Sequence, residues 1–419
     1  MLRRLLTARL PRSAPPRRLV VLTGARQVGK TTLARELYGE DLLYLNLDSA
    51  GERSRLADVP AEGWAKTVGP AILDEVHKIP DALEKLKWAY DNRDLDFTVL
   101  LGSSRILLLD QIRESLAGRV FLYELWPLTV AELAPRYGGE LCRRPLIAQL
   151  VEEPERALAR LAELAGSKVG PAVGAAQSAV RHLLEWGGLP ALLEYRGDER
   201  WEWLEAYQAT YLERDLADLA RLRDLEPFVT CHRLAALRAG CLLSYSELAR
   251  DAALPVTTVR RYLRYLELSY QTLRLPAWSG NPSVRLIKSP KLIWFDPGVQ
   301  RVLSGQLRGL TGEQYETALV GQVLTTLQAL RVRAESSFLR TAGKLEVDLI
   351  LEPQDALLAF EMKGRTVVSR RDAGPIERAR RILGERYRAG VVVYRGNRVE
   401  RLTETVFAVP DWWLLGFAE

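Results

Sequence analysis

The sequence predicts an α/β fold divided into several domains, and three observations predict it. Apolar strand-like runs alternate with helical stretches from Leu19 to about Leu133, the pattern of a parallel sheet with crossover helices. The first of these runs leads straight into the glycine-rich turn G-x-x-x-x-G-K-T. A long helical middle then gives way, after about residue 306, to a second segment that mixes strands and helices. At 419 residues the chain exceeds what one hydrophobic core supports.

The first domain takes its strands from Leu19–Leu22, Leu42–Leu47, Ala71–Leu73, Phe97–Leu101 and Val120–Leu125. From Pro145 to about Ala220 the pattern is helical, broken by the Gly/Ala-rich stretch Gly166–Ala176, which reads as a loop. A second helical block, Glu226–Leu268, passes into the strand-like run Tyr270–Leu275 and a turn at Trp278–Ser283. The expected division is 1–140, 141–225, 226–305 and 306–419.

Composition narrows the function classes. No apolar stretch approaches the roughly 18 residues that span a bilayer, so no membrane partner is expected. Met1–Arg18 is basic but has no apolar run after it, which does not fit a secretory signal. Cys142, Cys231 and Cys241 are scattered without metal-ligand spacing, as in a reducing cytoplasm. Positive charge concentrates in Met1–Arg18 and in Pro255–Arg301, two candidate polyanion surfaces; solvated faces or a disordered tail are the alternatives.

The turn Gly24-Ala25-Arg26-Gln27-Val28-Gly29-Lys30-Thr31-Thr32 has an apolar strand before it and a helix after it. This is phosphate-binding context: the glycines let backbone N–H groups turn inward, and Lys30 reaches the β- and γ-phosphates. The Thr31 hydroxyl ligates Mg²⁺. ATP with Mg²⁺ is the expected ligand. Such a site also needs a carboxylate in the metal shell and a base for the attacking water. Asp74 and Glu75, at the end of Ala71–Leu73, supply them. Ser103 and Ser104 follow the next strand and are candidate sensors of the γ-phosphate, a plain turn being the alternative. Arg119 stands just before the strand Val120–Leu125. In AAA+ ATPases an arginine at this point projects into a neighbouring subunit's nucleotide site, so Arg119 is a candidate finger and a homo-oligomer is expected. A local salt bridge is the alternative.

A longer series of motifs follows in order. It runs G-A-R-Q-V-G-K-T-T, L-N-L-D, I-L-D-E-V-H-K-I-P, L-L-G-S-S and S-L-A-G-R, then W-G-G-L-P, Y-L-E-R-D-L and L-S-Y-S-E-L-A-R. It closes with K-S-P-K-L-I-W-F-D-P-G and L-E-V-D-L-I-L-E…F-E-M-K. Over nearly its full length the chain resembles the bacterial and archaeal AAA-type ATPases that carry a C-terminal domain of unknown function. The resemblance implies an AAA+-like P-loop domain, a helical lid, a winged helix-turn-helix and a nuclease-like end domain.

Ser244–Arg250 reads as a capped helix, and Leu254–Thr258 opens a second helix reaching Leu268. Val256, Val259, Leu263 and Leu266 give it an apolar face, while Thr257, Thr258, Arg260, Arg261 and Arg264 occupy the other. A helix exposing Thr and Arg after a turn suits a DNA groove, and DNA is the expected partner. Arg274, Arg285, Lys288 and Lys291 are expected to form a basic wing. Subunit packing or a role in the ATPase lid is the alternative.

In the last domain Asp348, Glu361 and Lys363 form D…E-x-K across a strand pair. Two carboxylates would hold Mg²⁺ or Mn²⁺ and the lysine would orient water for phosphodiester attack. Glu316 stands where a further acid is expected. A fold kept for DNA binding or assembly without cleavage is the alternative. His77, His182 and His232 are isolated and read as structural, and Trp412 and Trp413 are expected to pack the final strand. The expected function is a DNA-associated ATPase with a metal-dependent nuclease-like end domain. An ATP-controlled signalling or defence switch of the STAND type, without motor action, is the alternative.

Overall fold

The computed structural model describes residues 2–11, 18–102, 111–112, 114–164, 166–211, 225–307 and 309–417. Five strands, β1 (Leu19–Gly24), β2 (Leu43–Asn46), β3 (Ala71–Asp74), β4 (Thr98–Gly102) and β5 (Val120–Leu125), form a parallel sheet in the order β2-β3-β4-β1-β5. The central strands are buried on both faces, which is why they read as unbroken apolar runs. Alternate residues feed two cores: Val20, Leu22, Val99 and Leu101 enter one, and Leu19, Val21, Leu73 and Leu100 the other. Because the strands are parallel, the ends of β1, β3 and β4 lie along one edge.

The described part of the basic N-terminal arm, residues 2–11, is folded against the protein, with Arg3 and Arg9 exposed. Leu5–Arg9 forms a short 3-10 helix with Leu5 and Leu6 buried. Arg4 is buried too, donating to the Val28 carbonyl at 2.7 Å and the Trp126 carbonyl at 2.5 Å. Apolar residues between the arginines fold the arm inward.

Packing divides the stretch read as a helical lid. Helices Leu146–Glu152, Pro154–Glu163 and Pro171–Trp186 share a core with the C-terminal sheet. Gly166–Ser167 is a short strand, β6, at that sheet's edge, and the helix from Pro171 corrects the loop reading of Gly166–Ala176. Leu189, Leu192 and Leu204 instead join the P-loop side. In the middle, helices Glu226–Leu237, Tyr245–Asp251 and Val256–Leu268 precede an antiparallel pair, β7 (Thr272–Leu275) and β8 (Lys291–Trp294). Ser244 caps the second helix by accepting from the Glu247 amide. Val259, Tyr262, Leu263 and Leu266 are buried in the third, whereas Val256, at its first turn, is exposed.

Two of the quoted motifs interlock here. The Asp296 carboxylate accepts from the Gly188 amide at 2.8 Å and the Val299 amide at 3.0 Å. A Cβ on Gly187 (φ 89°) would lie 2.1 Å from Asp296 Oδ1, so W-G-G-L-P and F-D-P-G require each other's glycines. Among the described residues no helix is long and apolar enough to cross a membrane.

The C-terminal sheet adds β9 (Glu335–Arg340), β10 (Glu346–Glu352), β11 (Leu357–Lys363), β12 (Tyr387–Tyr394), β13 (Arg398–Arg401) and β14 (Val406–Pro410), in the order β6-β13-β14-β12-β11-β10-β9. Helix Gly312–Leu330, started by a Thr311–Gln314 capping box, packs across it. Trp412 and Trp413 lie in helix Asp411–Gly416, stacked on each other at 5.4 Å, in the core that also holds Phe407 and Val409 of the final strand.

Candidate functional site

The glycine-rich turn leaves β1 and re-enters helix Lys30–Tyr38 through two left-handed residues, Gln27 (φ 59°) and Gly29 (φ 92°). A Cβ on Gly24 would meet the Leu125 carbonyl oxygen at 2.0 Å, so the turn can start beside β5 only from glycine. Lys30 is buried, and its ammonium donates to the carbonyls of Gly24 at 3.0 Å and Ala25 at 2.8 Å. Thr31 Oγ1 donates to Asp74 Oδ2 at 2.7 Å. A helix start and a strand end 43 residues apart thus meet as a hydroxyl and a carboxylate suited to share one cation. Glu75 leaves β3 in a left-handed conformation (φ 55°), a costly geometry for a non-glycine residue and common at working sites.

Several residues around the turn carry no sequence motif. Tyr44 donates to Asp74 Oδ2 at 2.9 Å; burial and the Asp74 charge raise its phenol above the ordinary range. Tyr270 donates to Thr23 Oγ1 at 3.2 Å and Tyr207 to the Arg26 carbonyl at 3.3 Å. His77 is not isolated: Nδ1 lies 3.3 Å from Glu75 Oε2, and burial lowers its pKa although Glu75 opposes the shift. Ser103 and Ser104 lie outside the described residues. Arg119 makes a two-point contact with Asp91, Nε to Oδ1 at 2.7 Å and Nη2 to Oδ2 at 2.8 Å, at the opposite end of the sheet from the phosphate turn.

A second centre lies in the C-terminal domain. The register Leu349↔Phe360 carries Asp348 opposite Glu361, and Asp348 Oδ2 accepts from the Met362 amide at 2.7 Å. Lys363 Nζ donates to Glu361 Oε1 at 2.7 Å. Glu316, from helix Gly312–Leu330, joins them through Lys291, whose ammonium lies 2.6 Å from Glu316 and 3.9 Å from Asp348. Burial and the neighbouring Asp348 charge raise the carboxyls of Glu316, to about 8, and Glu361, to about 7. Among the described residues no three His, Cys, Asp or Glu side chains form a ready metal cage. The donor set still fits a hard cation. Glu361 Oε2 is buried without a hydrogen-bond partner, and the inner carboxylates Glu316, Asp348 and Glu361 face two ammonium groups, Lys291 and Lys363. The adjoining cleft is rimmed by exposed Arg371 and Arg395.

On the third helix of the middle segment Thr257, Arg260, Arg261 and Arg264 are exposed and Thr258 is half-buried, with Arg260 lying 4.1 Å over the Tyr245 ring. The expected basic wing is different. Arg274 pairs with Glu267, Arg285 with Glu335 and Glu352, and Lys291 with Glu316 and Glu346. Those cations are neutralised by carboxylates up to 67 residues away in sequence, and of the four only Lys288 stands as an exposed charge outside these pairs.

Comparison with known proteins agrees with the first centre. Residues 16–134 match the AAA domain family; residues 177–309 and 311–414 each match a domain of unknown function. The uncharacterized proteins Rv2008c of Mycobacterium tuberculosis and Mb2031c of Mycobacterium bovis are each 31% identical over 421 aligned residues, 97% of this chain and 83% of the relative. The Walker-type ATPase PABY2304 of Pyrococcus abyssi aligns over 71% of this chain and 94% of its own, at 18% identity and a TM-score of 0.42. The chain belongs to the same family as the two mycobacterial proteins, and its N-terminal third is the P-loop domain of an AAA-type ATPase.

Proposed function

We propose that the protein hydrolyses ATP and couples this to rearrangement of its domains on DNA, with a C-terminal centre that cuts or holds the DNA backbone. The observation that carries the ATPase part is the meeting of Lys30, Thr31 and Asp74 at one sheet edge. In this reading Lys30 leaves the loop carbonyls for the β- and γ-phosphates, and Glu75, steadied by His77, orients the attacking water. Thr31 and Asp74 would hold Mg²⁺, which neutralises charge on the phosphates. Arg119 completes the site of a neighbouring copy.

The DNA part is supported by the cleft over the acid cluster, where exposed arginines surround a carboxylate floor. Arginines suit phosphates, and carboxylates suit a divalent ion. Asp348 and Glu361 would hold Mg²⁺ or Mn²⁺, which supplies Lewis-acid activation of the phosphodiester, while Lys363 orients the water. The exposed helix face from Thr257 to Arg264 offers the second contact, as a recognition helix. A second reading, an ATP-controlled switch without motor action, draws support from the Arg119–Asp91 pair, which keeps the candidate finger on its own chain.

The deciding assay measures ATP turnover with duplex, single-stranded and junction DNA in Mg²⁺ or Mn²⁺, with the DNA then resolved on a gel. Lys30→Ala should abolish turnover with the fold intact, and Asp348→Ala should spare turnover and remove cutting. Cutting that survives Asp348→Ala sinks the nuclease part, and absence of DNA binding at low salt sinks the DNA part.

A further inference from the structure

The acid cluster has an occupant from outside the C-terminal domain. Lys291 opens β8 and is 2% exposed. Along that strand Leu292 and Trp294 enter the core on the P-loop side, whereas Ile293 enters the core of the C-terminal sheet. Lys291 shares the Ile293 face, so the strand period points its ammonium into the cluster. Its nitrogen lies 2.6 Å from Glu316 Oε1, 2.5 Å from Glu346 Oε1 and 3.9 Å from Asp348 Oδ1. A cation among carboxylate oxygens of a helix and a strand has the surroundings a hard divalent ion takes. Beside it, Glu361 Oε2 is buried and lacks a hydrogen-bond donor.

We infer that Lys291 is the resident cation of this pocket, an internal plug that a divalent ion must displace before the centre can work. The inference rests on the metal reading of Asp348 and Glu361 given above. Lys291 and a divalent ion on Asp348 and Glu361 would share Asp348, and an ammonium and a dication that close repel each other strongly, so occupancy is exclusive. Taking the ammonium away leaves Glu316 without its cation beside the buried Asp348, which favours a metal entering in its place. The end domain would then be held inactive by a hairpin belonging to the middle of the chain. Cutting would require that hairpin to withdraw.

The test uses the full chain without nucleotide, with Mn²⁺ alone as the probe, followed by calorimetry and electron paramagnetic resonance. Lys291→Met should bind Mn²⁺ at least about 100-fold more tightly than the wild type. Adding Asp348→Asn to that variant should remove the gain. A second measurement needs no variant to fold: amine labelling of the wild type, read by mass spectrometry. Lys291 should be protected without metal and become labelled as Mn²⁺ saturates the site. Equal, Asp348-dependent affinity in wild type and Lys291→Met overturns the plug while leaving the metal reading in place. Continued protection of Lys291 at full Mn²⁺ occupancy overturns it as well. Absence of Asp348-dependent binding in every protein overturns the metal reading, and the plug with it.

Discussion

Replacing Arg119 by alanine separates a finger from a local ion pair. Val120 pairs with Leu19 at the start of β1, and the phosphate turn follows Gly24 at its end. Five residues of strand lie between, about 16 Å at 3.3 Å per residue, which is beyond the reach of one arginine side chain. Arg119 therefore cannot serve its own nucleotide, and any catalytic role is on a neighbouring copy. A trans arginine is worth about 1000-fold or more in turnover. An exposed pair such as Arg119–Asp91 contributes little to stability. The two roles thus predict different outcomes in a steady-state ATPase assay run across protein concentration. If Arg119 is a finger, Arg119→Ala loses about 1000-fold in turnover with ATP affinity kept, whereas Asp91→Ala, which frees the guanidinium, loses none. Mixing Arg119→Ala with Glu75→Gln subunits should restore part of the activity, because one intact site forms at a mixed junction. Equal and small effects of Arg119→Ala and Asp91→Ala, with no rescue on mixing, would refute the reasoning.

Two further outcomes are expected. The double change Arg261→Ala, Arg264→Ala should lower the slope of log affinity against log salt for duplex DNA by about 2, as two phosphate contacts are lost. An unchanged slope would return that helix face to solvent or protein contact. Burial holds the His232 imidazole down at about 4, against an ordinary value near 6.5, with Nε2 2.7 Å from Gln271 Oε1. The unfolded chain therefore binds the proton first, so this group's stabilising effect is present above pH 6.5 and is lost as pH falls towards 4. His232→Phe, which cannot be protonated, should shrink the loss of stability over that window by up to about 3 kcal/mol in denaturant titrations. Identical pH profiles for the two proteins would contradict this.

Much of the first centre was legible because its signals are local. The phosphate turn needs a strand, two left-handed positions and a helix in succession, and the sequence around Gly24 and Gly29 spells out that order. Asp74 stood out because it ends an apolar run. Tyr44, one strand away, carried no such signal; only the parallel register Tyr44↔Ile72 brings its hydroxyl to Asp74. Composition could not single out Arg4 in the N-terminal arm, since an arginine in such a cluster looks the same whether it faces solvent, as Arg3 and Arg9 do, or reaches a buried carbonyl. The wing failed for a related reason. Local charge counts placed Arg285 and Lys291 on a free surface, but their partner carboxylates come from elements 25 to 67 residues further along. Gly166–Ala176 looked like a loop from its small residues, yet alanine favours helix once Pro171 supplies a first turn.

The β7–β8 hairpin contributes side chains to two hydrophobic cores at once. Leu292 and Trp294 belong to the core that also holds Val20 and Leu22 of β1; Ile293 and Leu275 belong to the core that holds Leu349 and Phe360 of the acid-cluster strands. A strand sends neighbouring residues to opposite faces, so one short element is a wall common to both cores. Beside that wall Phe295 packs on Trp126 at 4.2 Å and Tyr270 meets Thr23, while Lys291 lies among the carboxylates. Close-packed cores do not deform smoothly, and a shift of the wall by even one methylene's width is felt on both sides. Withdrawing Lys291 by moving the hairpin thus means re-seating Leu292 and Trp294 against the P-loop side as well, a two-sided cost that a metal entering the acid cluster would have to offset.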